Sequence, residues 1–461
     1  MKSLSPTLLV VAMTAAFPAA AQSNEELLKE LQALKQRVNE LESKLQQAPA
    51  APAGQAQWGM TPEQSAEFNR IAAKTEAAED NMIAQGLKGL KISGYIEPTF
   101  VYNQRQNRAG FQFLNQQSDG YYYDTSFMGA ASLDFLKETD SGTLWHLTLT
   151  PNRGVGAALD GASIIQEASV SIPLSDDNTR LIAGQIPDWS GYEYQQPTLN
   201  PFTSHNLLYD FTLPVAYTGV GLDLKSGPWW IRTAIANVNA AIKNPGEKSP
   251  SWAFRADYGK DEFSGAGFAS VIGKTANFNT GKPTLSILAE ADGYFTRGDL
   301  TLQGQIAYGQ QKEGAITPDA NGNWRDSQWY GISGLAGYMF TPRLQGLVRA
   351  DYIYNRKNGG GLFAYNGYSA VDEDPTSSTY GQMVYGNDDR NGIGPDLNGN
   401  VDQGANRYAI SVGGKYAFNE NTTVKLEYRL DGADKAVFYD VKKDEYRKYN
   451  QMLATSLVVA F

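Results

Sequence analysis

Two histidines, His146 and His205, are the only imidazoles in the 461-residue chain, and cysteine is absent. Acid–base or nucleophilic catalysis needs such a group beside a nucleophile or a second carboxylate. Neither histidine lies in a G-x-S-x-G or H-E-x-x-H motif. The acid pair Glu290 and Asp292 has the spacing of neighbours on one face of a strand. The chain is therefore not expected to be an enzyme.

A second concentration of polar and aromatic side chains is segment 187–213, PDWSGYEYQQPTLNPFTSHNLLYDFTL. Long structured connections of this kind are usually functional. The residues that we expect to face a solute here are Asp188, Trp189, Tyr192, Glu193, His205 and Asp210.

Two further stretches, 318–326 (PDANGNWRD) and 395–403 (PDLNGNVDQ), share a phrase rich in aspartate and asparagine. In the second stretch, oxygen-bearing side chains alternate along the chain, as a hard cation such as calcium would require: Asp396, Asn398, Asn400 and Asp402. They do not complete an EF-hand loop, and Asn-Gly is a common hairpin tip. We therefore expect turns and no cofactor, with calcium in these loops as the weaker alternative.

These residues are positioned by segments in which apolar and polar residues alternate with a period of two, from Lys91 onward. In 423–431 (TVKLEYRLD), apolar residues at even numbers alternate with polar or charged residues at odd numbers. A strand places the two sets on opposite faces, whereas a helix would mix them. We count about sixteen such segments, and the last ends at Phe461.

The connections alternate in length along the chain. Short turns such as 175–178 and 341–342 separate longer loops such as 105–125, 187–213 and 356–406. Bacterial barrels with both termini in the periplasm have this alternation, whereas a soluble sandwich has no reason to keep it. The sequence therefore predicts an all-β transmembrane barrel of about 16 antiparallel strands, preceded by a short N-terminal coiled-coil and helical segment.

Four segments are expected before the barrel of residues 91–461. Residues 1–21 have the order of charge, apolar run and small residues of a signal peptide. Residues 22–46 have coiled-coil spacing, with a single amphipathic helix as the alternative. Residues 47–60 form a Pro/Ala linker, and 61–86 a capped periplasmic helix. The expected location is the bacterial outer membrane, with this N-terminal part in the periplasm.

The strand faces also predict which charges point into the lumen. These are Arg180, Arg232, Arg255, Glu290, Asp292, Arg349, Asp351, Arg407, Lys415, Glu427 and Arg429. A mixed lining creates a transverse field, whereas strong ion selectivity needs rings of one sign. The formal net charge of -10 favours cations or neutral solutes only mildly.

Two blocks carry a resemblance to known proteins: 184–222, which includes GQIPDWSGYEYQQPTLNPFTSHNLLYDF, and 406–431, NRYAISVGGKYAFNENTTVKLEYRLD. They resemble proteobacterial porin-like outer-membrane proteins of unknown function, related to the beta-barrel porin-2 family. The resemblance covers about residues 91–461. It implies a porin that lets small hydrophilic solutes diffuse passively through a water-filled lumen.

Porins of sixteen strands fold the third external loop inward, so the resemblance implies that 187–213 narrows the lumen. Packing on the wall, or capping it from outside, is the alternative. The coiled-coil start is similar to that of the phosphate-selective and sucrose porins, which are trimers, and implies a homotrimer. No ladder of lysines or arginines is present, so phosphate selectivity is not implied.

Other partners follow from a position in the outer membrane. They are outer-membrane lipid and lipopolysaccharide, and the assembly machinery that reads a terminal aromatic, here Phe461. No nucleic acid is expected. Two other functions stay open: a non-conducting outer-membrane adhesin or anchor and, less favoured, an outer-membrane hydrolase.

Overall fold

The computed structural model describes most of the chain after residue 81. The described residues are 70–71, 73–74, 76–77, 82–114, 128–151, 164–238, 250–275, 277, 279–315, 318–319, 321–357, 367–371, 375–377, 380, 383–387 and 404–461. The predicted signal peptide, coiled coil and linker lie outside them, as does much of the predicted helix 61–86. Residues 82–84 are helical, and Gly86 follows them with a φ of 69°.

Strands dominate the described residues. They are β1 (Leu90–Ile96), β2 (Thr99–Asn103), β3 (Arg108–Gln112), β4 (Ala131–Glu138), β5 (Leu144–Leu149), β6 (Ile165–Asp176), β7 (Thr179–Pro187), β8 (Ala216–Ser226), β9 (Trp229–Val238), β10 (Ser251–Gly259), β11 (Ser264–Thr275), β12 (Thr284–Arg297), β13 (Leu300–Gln311), β14 (Ser327–Thr341), β15 (Leu344–Lys357), β16 (Gly367–Val371), β17 (Met383–Asn387), β18 (Arg407–Asn419), β19 (Thr422–Ala433), β20 (Phe438–Asp440), β21 (Glu445–Arg447) and β22 (Tyr449–Ala460). One short helix, α1 (Leu207–Thr212), lies between β7 and β8. No helix among the described residues is long and apolar enough to cross a membrane.

The strands close into an antiparallel barrel. β22 pairs with β19 on one side and with β1 and β2 on the other, where Tyr95 lies opposite Ala460 and Thr99 opposite Ser456. β1 and β2 form one wall strand that breaks at Pro98, which has no N–H to donate. β3 and β4 likewise share the next wall position. β16 pairs with β17 and β20 with β21 in two small sheets apart from the barrel. The other eighteen strands, with the two pairs merged, give sixteen wall strands, and the predicted fold class is confirmed.

One predicted loop was wrong in its bounds. We expected 105–125 to be external, but β3 (Arg108–Gln112) pairs with β2 inside the wall, and the excursion lies between β3 and β4. The exit and the return are tied together, since Leu114 N–H donates to the Gly129 carbonyl (2.7 Å) and Gln112 Nε2 to the Met128 carbonyl (3.1 Å). These bonds hold the wall position continuous across the excursion.

The two faces of the wall differ in chemistry as the alternation requires. On β14, Ile332 and Tyr338 are exposed outside, while Trp329, Ser333 and Leu335 are buried inside. Aromatic rings cluster on the outer face at both ends of the strands. Tyr330 contacts Tyr308 and Tyr354 at one end, and the pairs Tyr338–Phe340 and Tyr416–Phe418 lie at the other. An outer apolar band between two aromatic girdles is typical of a barrel wall in lipid.

The closing seam is the place where β22 pairs with β1, and Gly94 of β1 lies there against Phe461. Phe461 N–H donates to the Gly94 carbonyl, and a Cβ added at Gly94 would lie 2.8 Å from the Phe461 ring. Gly94→Val should displace that ring and destabilise the barrel by about 1–3 kcal/mol, the usual effect of overpacking. The check is the temperature at which the folded form is lost on a heat-modifiability gel.

Gly334→Val is the matched control. Gly334 is also a wall glycine, and a Cβ built there meets nothing within 4 Å. Its midpoint should equal that of the unsubstituted protein, and an equal loss in both variants would contradict the seam argument.

Candidate functional site

Residues 188–215, which we call the crossing segment, leave the wall after β7 and traverse the barrel interior. Gly191 N–H donates to Glu290 on β12 (3.0 Å), and the Tyr192 hydroxyl bonds Ser333 on β14 (2.6 Å). Farther along the segment, Lys425 on β19 donates to the Pro197 carbonyl (2.5 Å). These strands are not neighbours of β7 or β8, so the segment reaches them only through the interior.

Three wall cations converge on the backbone of the crossing segment; we call them the cation clamp. Arg349 donates to the carbonyls of Ser204 (2.8 Å) and His205 (2.9 Å). Arg429 donates to the His205 carbonyl at 2.6 Å. Lys425 also donates to the carbonyls of Asn200 and Phe202. Each clamp cation is at most 3% exposed, so the backbone oxygens replace water as its ligands.

Wall carboxylates bind the same stretch from the acceptor side. Glu427 accepts the N–H groups of Thr203 (3.1 Å) and Ser204 (2.8 Å), and Asp351 accepts that of Leu207 (3.3 Å). The charged side chains of the wall and the uncharged backbone groups of the segment thus satisfy each other's hydrogen bonds. Hydrogen bonds to charged groups contribute about 1.5–3 kcal/mol each to stability, so the segment is bound strongly to the wall.

An apolar contact adds to these hydrogen bonds between the crossing segment and the wall. Asn206 caps α1 by accepting the Tyr209 N–H (2.8 Å), and the helix buries Leu207, Leu208 and Phe211 against the inner wall. Leu208 lies over Gly331 of β14, where an added Cβ would come within 2.8 Å of its Cγ. The glycine is therefore required by the close approach of the helix.

The start of the segment is held by aromatic contacts. Trp189 packs on Tyr217 (centroids 4.9 Å apart) and lies 5.3 Å from the Arg232 guanidinium. Asp188 accepts from the Tyr217 hydroxyl and from Ser190. Burial raises the pKa of Asp188 to about 6.

The residues that we expected to face a solute are mostly covered instead. Trp189, Tyr192, Glu193, His205 and Asp210 are buried within the contact between segment and wall, and Asp188 is half-buried. They are covered because the segment uses these side chains to bind the wall. Tyr194, which the prediction omitted, is 55% exposed on the segment. Its only signal in the sequence is that it directly follows the predicted residues Tyr192 and Glu193.

His205 is a structural imidazole. Its Nε2 lies 2.8 Å from the Tyr194 carbonyl, and its ring stacks on Tyr209 at 4.0 Å. Burial lowers the pKa of His205 to about 4, although Asp210 and the Tyr194 carbonyl act in the opposite sense. The ring is therefore neutral at pH 7.

The eleven charges that we predicted to face the lumen differ in their exposure and in the groups that they contact. All lie on inner-face positions of their strands, but Arg349, Asp351, Arg407, Glu427 and Arg429 are at most 5% exposed. Arg255 bridges Asp292 (2.6 Å) and Glu290 (3.1 Å). Arg180 binds the Gly142 carbonyl near a turn. Arg232 and Lys415 are partly exposed on the inner surface.

His146 lies on the inner face of β5 between two carboxylates. Its Nε2 is 2.7 Å from Asp134 and its Nδ1 is 3.0 Å from Glu167. Both carboxylates also accept hydroxyl groups, from Thr148 and Ser169 respectively. Because each ring nitrogen faces a carboxylate oxygen, the geometry suits an imidazolium that links three strands of the wall.

The described part of the Asp/Asn-rich loops is a turn. Asp319 accepts the N–H groups of Asn321 (2.9 Å) and Asn323 (2.8 Å), and Gly322 has a φ of 80°. The weak calcium candidates Asp396, Asn398, Asn400 and Asp402 lie outside the described residues. Within the described ones, no group of three or more acidic, histidine or cysteine side chains has a metal-binding arrangement.

Arg349→Leu tests the cation clamp. It removes the cation from Glu193, Asp351 and Glu427, which are all buried. Leaving a buried charge unpaired costs about 3–5 kcal/mol, so the crossing segment should detach. Hydrogen exchange of residues 197–207 should accelerate accordingly.

Arg180→Leu is the control for that variant. Arg180 bonds Ser171, Gly142 and Asp177, all away from the crossing segment. Exchange in 197–207 should stay slow, and equal acceleration in both variants would show that the clamp has no specific role.

The pKa of His205 gives a pH prediction. The native value of about 4 lies below the ordinary 6.5, so the unfolded form binds more protons between these values. The stability contributed by the neutral ring is complete above pH 6.5 and is lost as the pH falls toward 4, by up to about 3 kcal/mol. His205→Gln should lack this loss, measured as the change in thermal midpoint between pH 7 and pH 4.

Comparison of the two proteins is needed because other groups titrate in the same range. Burial raises the pKa values of Asp188 and Glu193, which favours the folded form as the pH falls. Both proteins share these carboxyls, so their difference reports His205 alone. Identical pH profiles would refute the buried neutral imidazole.

Solved structures share this fold at low sequence identity. An anion-selective porin from Comamonas acidovorans has a TM-score of 0.52, with 9% identity over 81% of this chain and 99% of that chain. A loop L8 deletion mutant of OmpT, an outer membrane protein of Vibrio cholerae, scores 0.49 at 10% identity, over 81% and 99%. Salmonella typhi OmpF in complex with daunomycin scores 0.49 at 13% identity, over 81% and 97%. The likeness to the first shows the barrel fold.

No curated protein matches the sequence. The relation to the beta-barrel porin-2 family stays a prediction, because the family profile that matches is another one. That profile covers residues 62–248 and 260–461. The chain belongs to this family, described as protein of unknown function (DUF3138).

Proposed function

We propose that the protein is a porin of the bacterial outer membrane, through which small hydrophilic solutes diffuse passively. The observation that carries the proposal is the crossing segment. It is anchored across the interior of a sixteen-stranded barrel by the cation clamp, whose Arg349 makes five hydrogen bonds to it or to Glu427. A segment held in this way narrows the lumen at a fixed position.

The outer face of the wall supports the location. Large apolar side chains such as Ile306 (57% exposed), Ile332 (54%) and Leu426 (52%) are exposed on it, and each would be unfavourable in water. Lipid and lipopolysaccharide are the proposed surroundings. The assembly machinery is proposed to read Phe461, which is 48% exposed at the closing seam.

A homotrimer is the proposed assembly, and no nucleic acid is proposed as a partner. Cross-linking in native membranes should give a trimer, and only monomers would reject this state. The N-terminal part is proposed to lie in the periplasm.

A non-conducting anchor is the second candidate, because one observation favours it. Many inner-face side chains of β14, β15, β18 and β19 are almost fully buried, as the 0% exposure of Trp329, Arg349 and Arg429 illustrates. On that side of the barrel the interior is filled. On the rest of the inner wall, side chains such as Arg232 and Asp257 keep partial exposure, and a solute would pass there.

Planar-bilayer recording tests the proposal. The unsubstituted protein should give stepwise currents, and deletion of residues 189–210 should enlarge each step because it removes the crossing segment. Liposome swelling with sugars, amino acids and aromatic acids should likewise be faster with the deletion variant than with the unsubstituted protein. The clamp cations tolerate the deletion because water in the widened lumen replaces their carbonyl ligands.

Tyr258→Ala is the control, since Tyr258 lies on the outer face against Trp229. Its conductance should be unchanged. A correctly folded barrel that carries no current, before and after the deletion, would reject the porin and favour the anchor.

A further inference from the structure

The inner wall of β9–β12 carries a surface that the crossing segment leaves open. We call it the lumen patch, and it comprises Tyr194, Trp230, Arg232, Asp257 and Tyr294. The strand register puts Trp230 opposite Asp257 and, two strands further, Gly265 opposite Tyr294. All but Tyr194 occupy inner-face positions of β9, β10 and β12, and Tyr194 comes from the crossing segment.

Two aromatic rings of the patch are exposed although they lie inside the barrel. Tyr194 is 55% and Tyr294 is 40% exposed, and the crossing segment that carries Tyr194 meets this wall where Trp189 lies 5.3 Å from the Arg232 guanidinium. Gly265 makes room for the second ring, because a Cβ there would lie 2.8 Å from Tyr294 Cε1. A glycine at this inner position therefore keeps the ring flat against the wall, with its other face available.

Beside Tyr294 the wall carries a paired set of charges, since the Tyr294 ring lies over Gly265 and Asp257 lies over Gly267 of the same strand. Arg232 stacks on Trp230 (3.9 Å) and donates to Asp257 (3.1 Å), which also accepts from Arg255 (2.8 Å). The side chains of Arg232 and Asp257 keep 18% and 25% exposure. The patch thus offers hydrogen-bond donors and acceptors side by side, without an arginine or a carboxylate that lacks an opposite charge.

We propose that the lumen patch binds an uncharged sugar ring, which names the solute class of the proposed porin and rests on that function for its transport role. The C–H face of a pyranose packs on an aromatic ring, and its hydroxyls both donate and accept hydrogen bonds. An anionic solute would need an arginine free of carboxylates. A cationic solute would need Asp257 free of its two arginines.

Maltose titrated into the detergent-solubilised full chain, followed by calorimetry, tests the site. The expected result is saturable binding that Tyr294→Ala and Tyr194→Ala each weaken about tenfold, since each removes one aromatic contact. Tyr294→Phe keeps the ring and should bind nearly as the unsubstituted protein does. It also keeps the test valid if the alanine variant does not fold.

Tyr258→Ala is the matched control, because Tyr258 is also 40% exposed but lies on the outer face of β10. It should bind maltose normally. Absence of saturable binding, equal weakening in Tyr258→Ala and Tyr294→Ala, or tighter binding of benzoate than of maltose would each overturn the sugar site.

The same preparation separates this inference from the proposed function. Stepwise currents without maltose binding would overturn the sugar site and leave the porin standing. Maltose binding to a barrel that carries no current would support the site and reject the porin.

Discussion

A buried charge must be paired or solvated by fixed dipoles, and this constraint organises the interior of the barrel. The inner wall brings Arg349, Lys425 and Arg429 to one region, where bulk water is excluded. The backbone carbonyls of residues 197–205 take the place of that water. The segment is held because the wall needs its oxygens, and the wall carboxylates in turn satisfy the segment's N–H groups. The segment would not keep this conformation without the charged groups of the wall.

The barrel could be predicted from the sequence because its rule is local. A period of two fixes which side chains face in or out, and turn length fixes the direction of each connection. The boundary near β3 could not be predicted in this way. That stretch is short, and its place in the wall depends on bonds such as Leu114 to Gly129, across an excursion of the chain. Contacts of that kind leave no periodic trace.

The exposure of the candidate residues could not be predicted from the sequence. Topology pointed to 187–213, and alternation pointed to charges such as Arg349 and Glu427. Which of them would be covered depends on the strands that the segment meets, and alternation within a strand does not contain that information. His205 illustrates the result: a residue type associated with proton transfer is placed in a neutral, stacked position. Tyr194 is exposed because the side chains next to it in the sequence are buried against the wall, and only the structure reveals that burial.

The two ends of the crossing segment are held differently. Around 197–207, the charged wall groups Lys425, Glu427 and Arg429 bind the backbone of the segment, although in the described part of the chain Thr198 Oγ1 and Asn206 Nδ2 are buried there without a hydrogen-bond partner. Around 189–191, among the described residues, Trp189 Nε1, Glu290 Oε2 and both amide atoms of Gln305 are buried without a hydrogen-bond partner. Opening the second end would expose these atoms to water and recover hydration that they lack when closed. Any displacement of the segment should therefore begin beside Gly191, next to the lumen patch, while the clamped end stays in place.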